Sequence, residues 1–370
     1  FYHPWVGHEV AHLKSLVNGL RSRGLERPMI YLCGDSCLDN KAWVGCCTDA
    51  CNGYEHVMSP PLVKPDVAYW INRLAYEEAK AAGELTARGT SKPTVPACIN
   101  CAAEGTTLEA RLGWFGGLLP QDEFARTRLG SRDVLVVCVG SLDIALAPSL
   151  AGALSAWALS WQGADAIAYG TAAGLGHFET LFRDTMQEYV TQLCAYRMPR
   201  RVVLCMGFLP QLERAEQGSW IDGALQRLRY TTQPARLRTA VGALFERALR
   251  RVRVPGVDVR HVALAEALDG TNTADYEGRA HPSAQGGRKV AHAIWQAVTS
   301  ADPPPPPLPE TPRGTAPPSV ELVRLGGGSS AAGALMAPTP LTAAAAAAGS
   351  RAVTIGGASP SPTPTGVAAA

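Results

Sequence analysis

No block of like charges interrupts this chain of 370 residues. Its formal charge is +2, and its lysines and arginines are scattered along the whole length. The electrostatic footprint that nucleic acid or an anionic membrane requires is missing, so neither is expected as a partner. A clean apolar span is missing too. The longest uncharged stretch, Ile144 to Ala164, has the length to cross a bilayer, but Pro148, Ser149, Gly152, Ser155, Ser160 and Gln162 fall inside it. That composition makes a poor membrane segment. The spacing of Leu150, Leu154, Trp157 and Trp161 predicts instead a helix lying on a core. No repeat of solenoid period is present.

The paired CxxC spacing of zinc ribbons is absent as well. Cys33, Cys37, Cys46, Cys47 and Cys51 form a local group and Cys98 and Cys101 a single CxxC. Ten cysteines in a chain this long make no disulfide scaffold, so most are expected as buried or partly buried thiols. The glycines of Gly174-Leu175-Gly176-His177 lack both the strand context and the Lys-Ser/Thr pair of a phosphate loop, which argues against a nucleotide. The chain opens on Phe1 rather than Met. Upstream residues, a targeting segment among them, are therefore allowed for, and a soluble protein of open compartment is expected.

What is present is an alternation. Five apolar runs, Met29 to Cys33, Val95 to Ile99, Val134 to Val139, Val202 to Met206 and Val257 to Val262, read as strands. Helical spacing lies between them: Val10, Leu13, Val17 and Leu20, then Phe182, Met186, Tyr189, Val190 and Leu193, then Val290, Ile294, Ala297 and Val298. Strands alternating with helices predict an α/β domain with a parallel sheet covered on both faces, which binds ligands beyond the carboxyl ends of its strands. The expected division is an N-terminal helix over 1–27 packing on the domain, the domain itself over 28–300, and a tail over 301–370. Pro303 to Pro307, a Gly/Ser run and Ala343 to Ala348 give that tail the composition of disordered chain. Its proline run favours polyproline II, which serves as a spacer or docks on an aromatic groove of a partner.

Two segments near the amino end compete for chemistry. His8-Glu9-Val10-Ala11-His12 matches HExxH, in which two histidines one helical turn apart hold zinc and the glutamate is general base. The pattern also fits an ordinary amphipathic helix with surface histidines, and the extended metzincin pattern does not follow it. The second segment is Gly34-Asp35-Ser36 after the first apolar run. A serine there lands at the carboxyl edge of the sheet, where its hydroxyl faces a substrate and its amide an oxyanion. The same three residues are also common turn chemistry.

Three later segments stand in order behind it: Asn100-Cys101-Ala102-Ala103-Glu104-Gly105, Val139-Gly140-Ser141-Leu142-Asp143, and His281-Pro282-Ser283. Together with Gly34-Asp35-Ser36 they resemble the four blocks of the SGNH, or GDSL-type, esterase and lipase superfamily, over most of residues 28–299. The resemblance implies a three-layer α/β/α sandwich with a five-stranded parallel sheet of flavodoxin-like order, and hydrolysis of a small carboxylic ester through an acyl-enzyme on Ser36. It implies the amides of Ser36 and Gly105 as oxyanion donors and His281 as general base, with no metal or organic cofactor. Asp35, Asn100 and Asp143 lie within these blocks and His177 follows the long connection after the third strand; all four are expected at the substrate. His177 is also a rival base.

The chain departs from the family pattern twice. Leu142 stands where the third block carries an asparagine donor, and losing one such donor costs about 2.7 to 4 kcal/mol; the hydroxyl of Ser141 is the expected substitute. Gly278 stands where an aspartate precedes the histidine by three residues. Asp275 is the expected orienting acid, with Glu277 the other near carboxylate. These departures also fit a catalytically impaired module of the same fold that binds an acyl or glycan ligand. A zinc peptidase using His8, Glu9 and His12 is the remaining alternative.

Overall fold

The protein's structure, a computed structural model, describes residues 1–2, 6–21, 27–86, 92, 94–112, 117–146, 149–213 and 218–301. Five strands carry the core: β1 (Met29–Gly34), β2 (Ala97–Asn100), β3 (Val134–Cys138), β4 (Arg201–Met206) and β5 (Asp258–Ala263). They are all parallel and lie in the order β2-β1-β3-β4-β5, the flavodoxin-like order expected. Every residue of β1 to β4 is buried, which is why these strands read as continuous apolar runs rather than as alternating ones. The second run opens at Val95, but β2 starts only after Pro96, which has no N–H to give the ladder.

Alternate side chains of β1 feed two cores. Met29, Tyr31 and Cys33 point into one with Leu13, Leu16 and Val17 of α1 (Val10–Arg21), and Ile30 and Leu32 into the other with Val67 and Ile71 of α2 (Val67–Ala81). The first core is completed by α3 (Pro120–Arg128), part of α4 (Leu150–Ser160), α5 (Met186–Leu193) and α6 (Pro234–Arg247). The second is completed by α7 (Ala284–Thr299). The result is the three-layer α/β/α sandwich. Side chains start its helices: Asp66 accepts from the Tyr69 amide at 2.8 Å, and Ser283 from the Gly286 amide at 3.2 Å.

Two sequence expectations are corrected. Helix α1 begins at Val10, so His8 precedes it and the two histidines of HExxH do not stand one turn apart on a helix. His8 is buried against Phe1, its Nδ1 3.1 Å from the Phe1 carbonyl, whereas Glu9 is exposed and His12 half-buried. Helix α4 does not lay its large side chains on the core. Leu150, Leu154, Trp157 and Trp161 face outward, and Gly152, Leu159 and Ser160 are its buried residues. Among the described residues no helix is long and apolar enough to cross a membrane, and no three His, Cys, Asp or Glu side chains are grouped to hold a metal ion. All ten cysteines are free thiols, with Cys46 and Cys47 exposed and the rest buried. The proline run and the tail lie outside the described residues.

Candidate active site

Strand β1 ends at Gly34, where a Cβ would collide with the Cys138 carbonyl of β3, so the chain can make its turn here only as glycine. Arg111 and the Ala103 amide both donate to the Gly34 carbonyl, at 2.7 and 2.9 Å. Asp35 follows, wholly buried. One carboxylate oxygen accepts from the Cys37 amide at 2.9 Å and the other from the Gly140 amide at 3.2 Å. Asp35 thus ties the turn to the end of β3, and burial pushes its carboxyl above the usual range. Ser36 sits on this fixed turn, 8 % exposed, and neither its own amide nor that of Gly105 is engaged in a hydrogen bond among the described residues.

The next residues brace the turn from behind. Asp39, fully buried, accepts both contacts from Lys41 Nζ at 2.7 and 2.8 Å and also the amides of Gly7 and Glu104 at 3.0 Å. Asn40 accepts from the Val67 amide at 3.0 Å and donates to the Pro282 carbonyl at 3.1 Å. One side chain therefore joins the serine turn, the start of α2 and the segment that carries His281.

His281 lies in a short antiparallel ladder, Tyr276–Glu277 against His281–Pro282, closed by a turn in which Gly278 has φ +66°. A left-handed backbone explains glycine where the family pattern has aspartate: an L side chain would be strained there. The imidazole is buried between two tryptophans. Trp43 stacks on it, centroids 3.9 Å apart and planes 8° from parallel, and the indole N–H of Trp220 donates to Nε2 at 3.2 Å. Its Nδ1 is buried without a hydrogen-bond partner. Burial alone pulls its pKa down to about 4, so it is neutral at pH 7.

Asp275 does not meet His281. Its carboxylate accepts from Gln285 at 2.8 Å and Lys289 at 2.6 Å, tying the loop to α7, while its backbone carbonyl accepts the Ser283 amide. This corrects the expected orienting acid, and the reason is local: Asp275 ends a short helical turn and its carboxylate is taken up by Gln285 and Lys289 of α7. Glu277 is paired across the ladder with His281 but is exposed, and it makes no bond to Nδ1.

Ser36 opens onto a small apolar cavity. Leu142, Ile144, Phe182, Met206, Trp220 and Leu225 are among the side chains that line it. Leu142, where a donor was expected, is thus part of an apolar wall. Ser141 lines the same cavity, its Oγ 3.4 Å from Cys37 Sγ. Arg279, buried two residues before His281, braces the segment on which Trp220 stands. Arg279 reaches Asp222 at 2.6 Å and the carbonyls of Gln211 and Leu212, and Asp222 in turn accepts the Ser219 amide.

The remaining expected residues lie apart from the cavity. Asn100 donates to the Leu38 carbonyl at 3.1 Å and accepts the Ala102 amide at 3.0 Å. Asp143 accepts the amides of Leu108 and Glu109 at 2.8 and 3.0 Å, and burial raises its pKa to about 6. Both hold main chain in place, so neither has the free polar group that substrate binding asks of it. His177 stands by Glu109, 3.6 Å away, and edge-on to Phe178, outside the cavity lining. Sequence reasoning missed Asp39, Asn40, Lys41, Trp43, Glu104 and Trp220. Four of these follow Ser36 within seven residues, and the polar Asp-Asn-Lys run behind a buried leucine was the available signal.

No family model matches the chain and no curated protein matches it. It is similar in structure to Est24, a carbohydrate acetylesterase from Sinorhizobium meliloti, with 11 % identity over 74 % of this chain and 98 % of that one, TM-score 0.37. It is also similar to a carbohydrate esterase family 3 protein from Talaromyces cellulolyticus (13 % identity, 73 % of this chain and 96 % of that one, TM-score 0.35). A third similar structure is phospholipase A1 from Streptomyces albidoflavus NA297 (13 % identity, 74 % of this chain and 100 % of that one, TM-score 0.33). What the site does has to follow from its own atoms.

Proposed function

We propose that this protein hydrolyses carboxylic esters through an acyl-enzyme on Ser36, with His281 as general base. The observation that carries the reading is a shared rim. Ser36 opens onto an apolar cavity walled by Trp220, and the same indole touches Nε2 of His281. The ester displaces the indole from Nε2, and Ser36 Oγ attacks the carbonyl carbon while its proton passes to that nitrogen. Collapse of the tetrahedral intermediate expels the alcohol, which takes the proton back. Water, deprotonated by the same nitrogen, then cleaves the acyl–Oγ bond and leaves a carboxylic acid.

The amides of Ser36 and Gly105 hold the developing oxyanion, with the Ser141 hydroxyl as third donor. Among the described residues no carboxylate meets Nδ1 to support the imidazolium formed on the way. The face of Trp43 takes that part, and a desolvated cation over an indole gains about 2 kcal/mol. That is less than the roughly four powers of ten in turnover that a correctly placed triad acid contributes. A slow esterase is the consequence.

A fluorophosphonate probe is expected to label the protein, and Ser36→Ala to lose both labelling and hydrolysis of a short-chain nitrophenyl ester. Wild-type protein that neither labels nor hydrolyses would sink the proposal. It would favour the second reading, a catalytically impaired module that binds an acyl or glycan ligand in the same cavity. One observation supports that reading: Nε2 already has a donor on it.

A further inference from the structure

We infer that α4 is a lipid-docking helix, which seats the mouth of the Ser36 cavity on a lipid–water interface bearing anionic headgroups. The helix, LAGALSAWALS, carries no charge. A helix apolar all round belongs in a core or against another apolar phase. Yet Leu150 is 78 % exposed, Leu154 59 %, Trp157 65 % and Trp161, at its C-cap, 59 %. Their spacing puts them on one stripe, and the neighbouring Leu146 is 47 % exposed. Leucine and tryptophan on an exposed face, rimmed by arginine, are the composition of interfacial helices.

Two features say what covers the stripe. The groove beside it, lined by Trp157 and Trp161, shares Ile144, Ala145 and Leu228 with the lining of the Ser36 cavity, so the two hollows are neighbours across the same apolar side chains. The rim is cationic, a local pairing that the scattered charge of the whole chain did not lead one to expect: Arg227 and Arg229 line the groove, Arg229 lies 4.1 Å over the Trp161 ring, and no acidic side chain is among the described lining residues. An apolar groove rimmed by arginine matches a lipid surface of acyl chains under anionic headgroups. The inference deepens the esterase reading by naming a lipid ester as substrate class, and to that extent rests on it.

The test uses full-length Ser36→Ala protein, so that binding is read without turnover. It is expected to co-sediment with vesicles of phosphatidylcholine containing phosphatidylserine, and less with phosphatidylcholine alone. The double variant Leu150→Glu/Leu154→Glu is expected to lose at least about tenfold in that binding. Both side chains are largely in solvent, so its circular dichroism and melting temperature should match those of the parent, and a matched fold makes the loss specific. Absence of vesicle binding in the parent protein overturns the inference. So does binding that the double variant retains, or a concentration-dependent dimer that the double variant abolishes, which would give the stripe to a second copy. Vesicle binding by a wild-type protein that hydrolyses no ester sinks the esterase reading and leaves the docking standing. Ester hydrolysis without vesicle binding does the reverse.

Discussion

The indole N–H of Trp220 donates to Nε2 of His281 at 3.2 Å, and so occupies the nitrogen that a serine's proton would have to reach. Trp220 is half-exposed and shares the cavity wall with Ser36, so the same side chain meets both an incoming ligand and the base. Replacing Trp220 with Phe removes the donor and keeps most of the wall. One neutral hydrogen bond is worth about 1 kcal/mol net, so kcat/KM on a nitrophenyl ester is expected to rise about fivefold. An unchanged or lower value would mean that Trp220 does not hold the base back.

Trp43 and Asp275 give opposite expectations for support of the imidazole. Trp43→Leu removes the stacked face and should lower kcat by up to about 30-fold, the equivalent of a desolvated cation–ring contact. Asp275→Asn should leave kcat within about twofold, because its partners are Gln285 and Lys289. A fall of several powers of ten in Asp275→Asn would restore it as the orienting acid. Steady-state kinetics on the two variants decides between them.

Burial holds His281 at a pKa of about 4, so the neutral, proton-accepting form persists well into acid. The acidic limb of kcat/KM is expected with its midpoint near that value rather than near the unperturbed 6.5 of a solvated imidazole. A midpoint above about 6 in the free enzyme would show that the imidazole is solvated when it acts.

Stability should follow the same groups. His8 is likewise pulled down to about 4, chiefly by burial. Where the folded pKa lies below the unfolded one, the unfolded chain binds more protons between the two values. The contribution is whole above about pH 6.5 and falls away as the pH drops toward 4, by roughly 3 kcal/mol for each of the two histidines. Urea midpoints across that range are expected to fall, and His8→Phe should flatten the slope.

Lys41 and Asp39 form an ion pair of which both side chains are essentially out of water. Lys41→Met leaves Asp39 charged and buried, a change that costs about 3 to 5 kcal/mol. Asp39→Asn/Lys41→Met is expected to cost less than Lys41→Met alone, since no bare charge remains. Denaturant titrations of the single and double variants check the order.

The layers and the place of Ser36 were legible in the chain itself. Parallel strands covered on both faces are apolar along nearly their whole length, with Asn100 and Arg201 as polar ends, so the runs at 29–33, 134–139 and 202–206 marked their own strands to within a residue. The Gly-Asp-Ser corner then had to fall at the carboxyl edge of the first. The turn glycine at 278 was legible as a missing aspartate, although its cause, a left-handed backbone, was not.

Tertiary structure alone decided what surrounds the base and which way α4 faces. Trp220 stands 61 residues before His281, and Trp43 comes from the chain just after the serine turn, at the far end of the domain's sequence; no local spacing encodes either meeting. Asp275 lay near His281 in sequence and was turned toward α7 by its partners there. On α4 the period of Leu150, Leu154, Trp157 and Trp161 settled that they share one face. A period names a stripe but not its neighbour, and packing against Gly152, Leu159 and Ser160 turned that stripe outward.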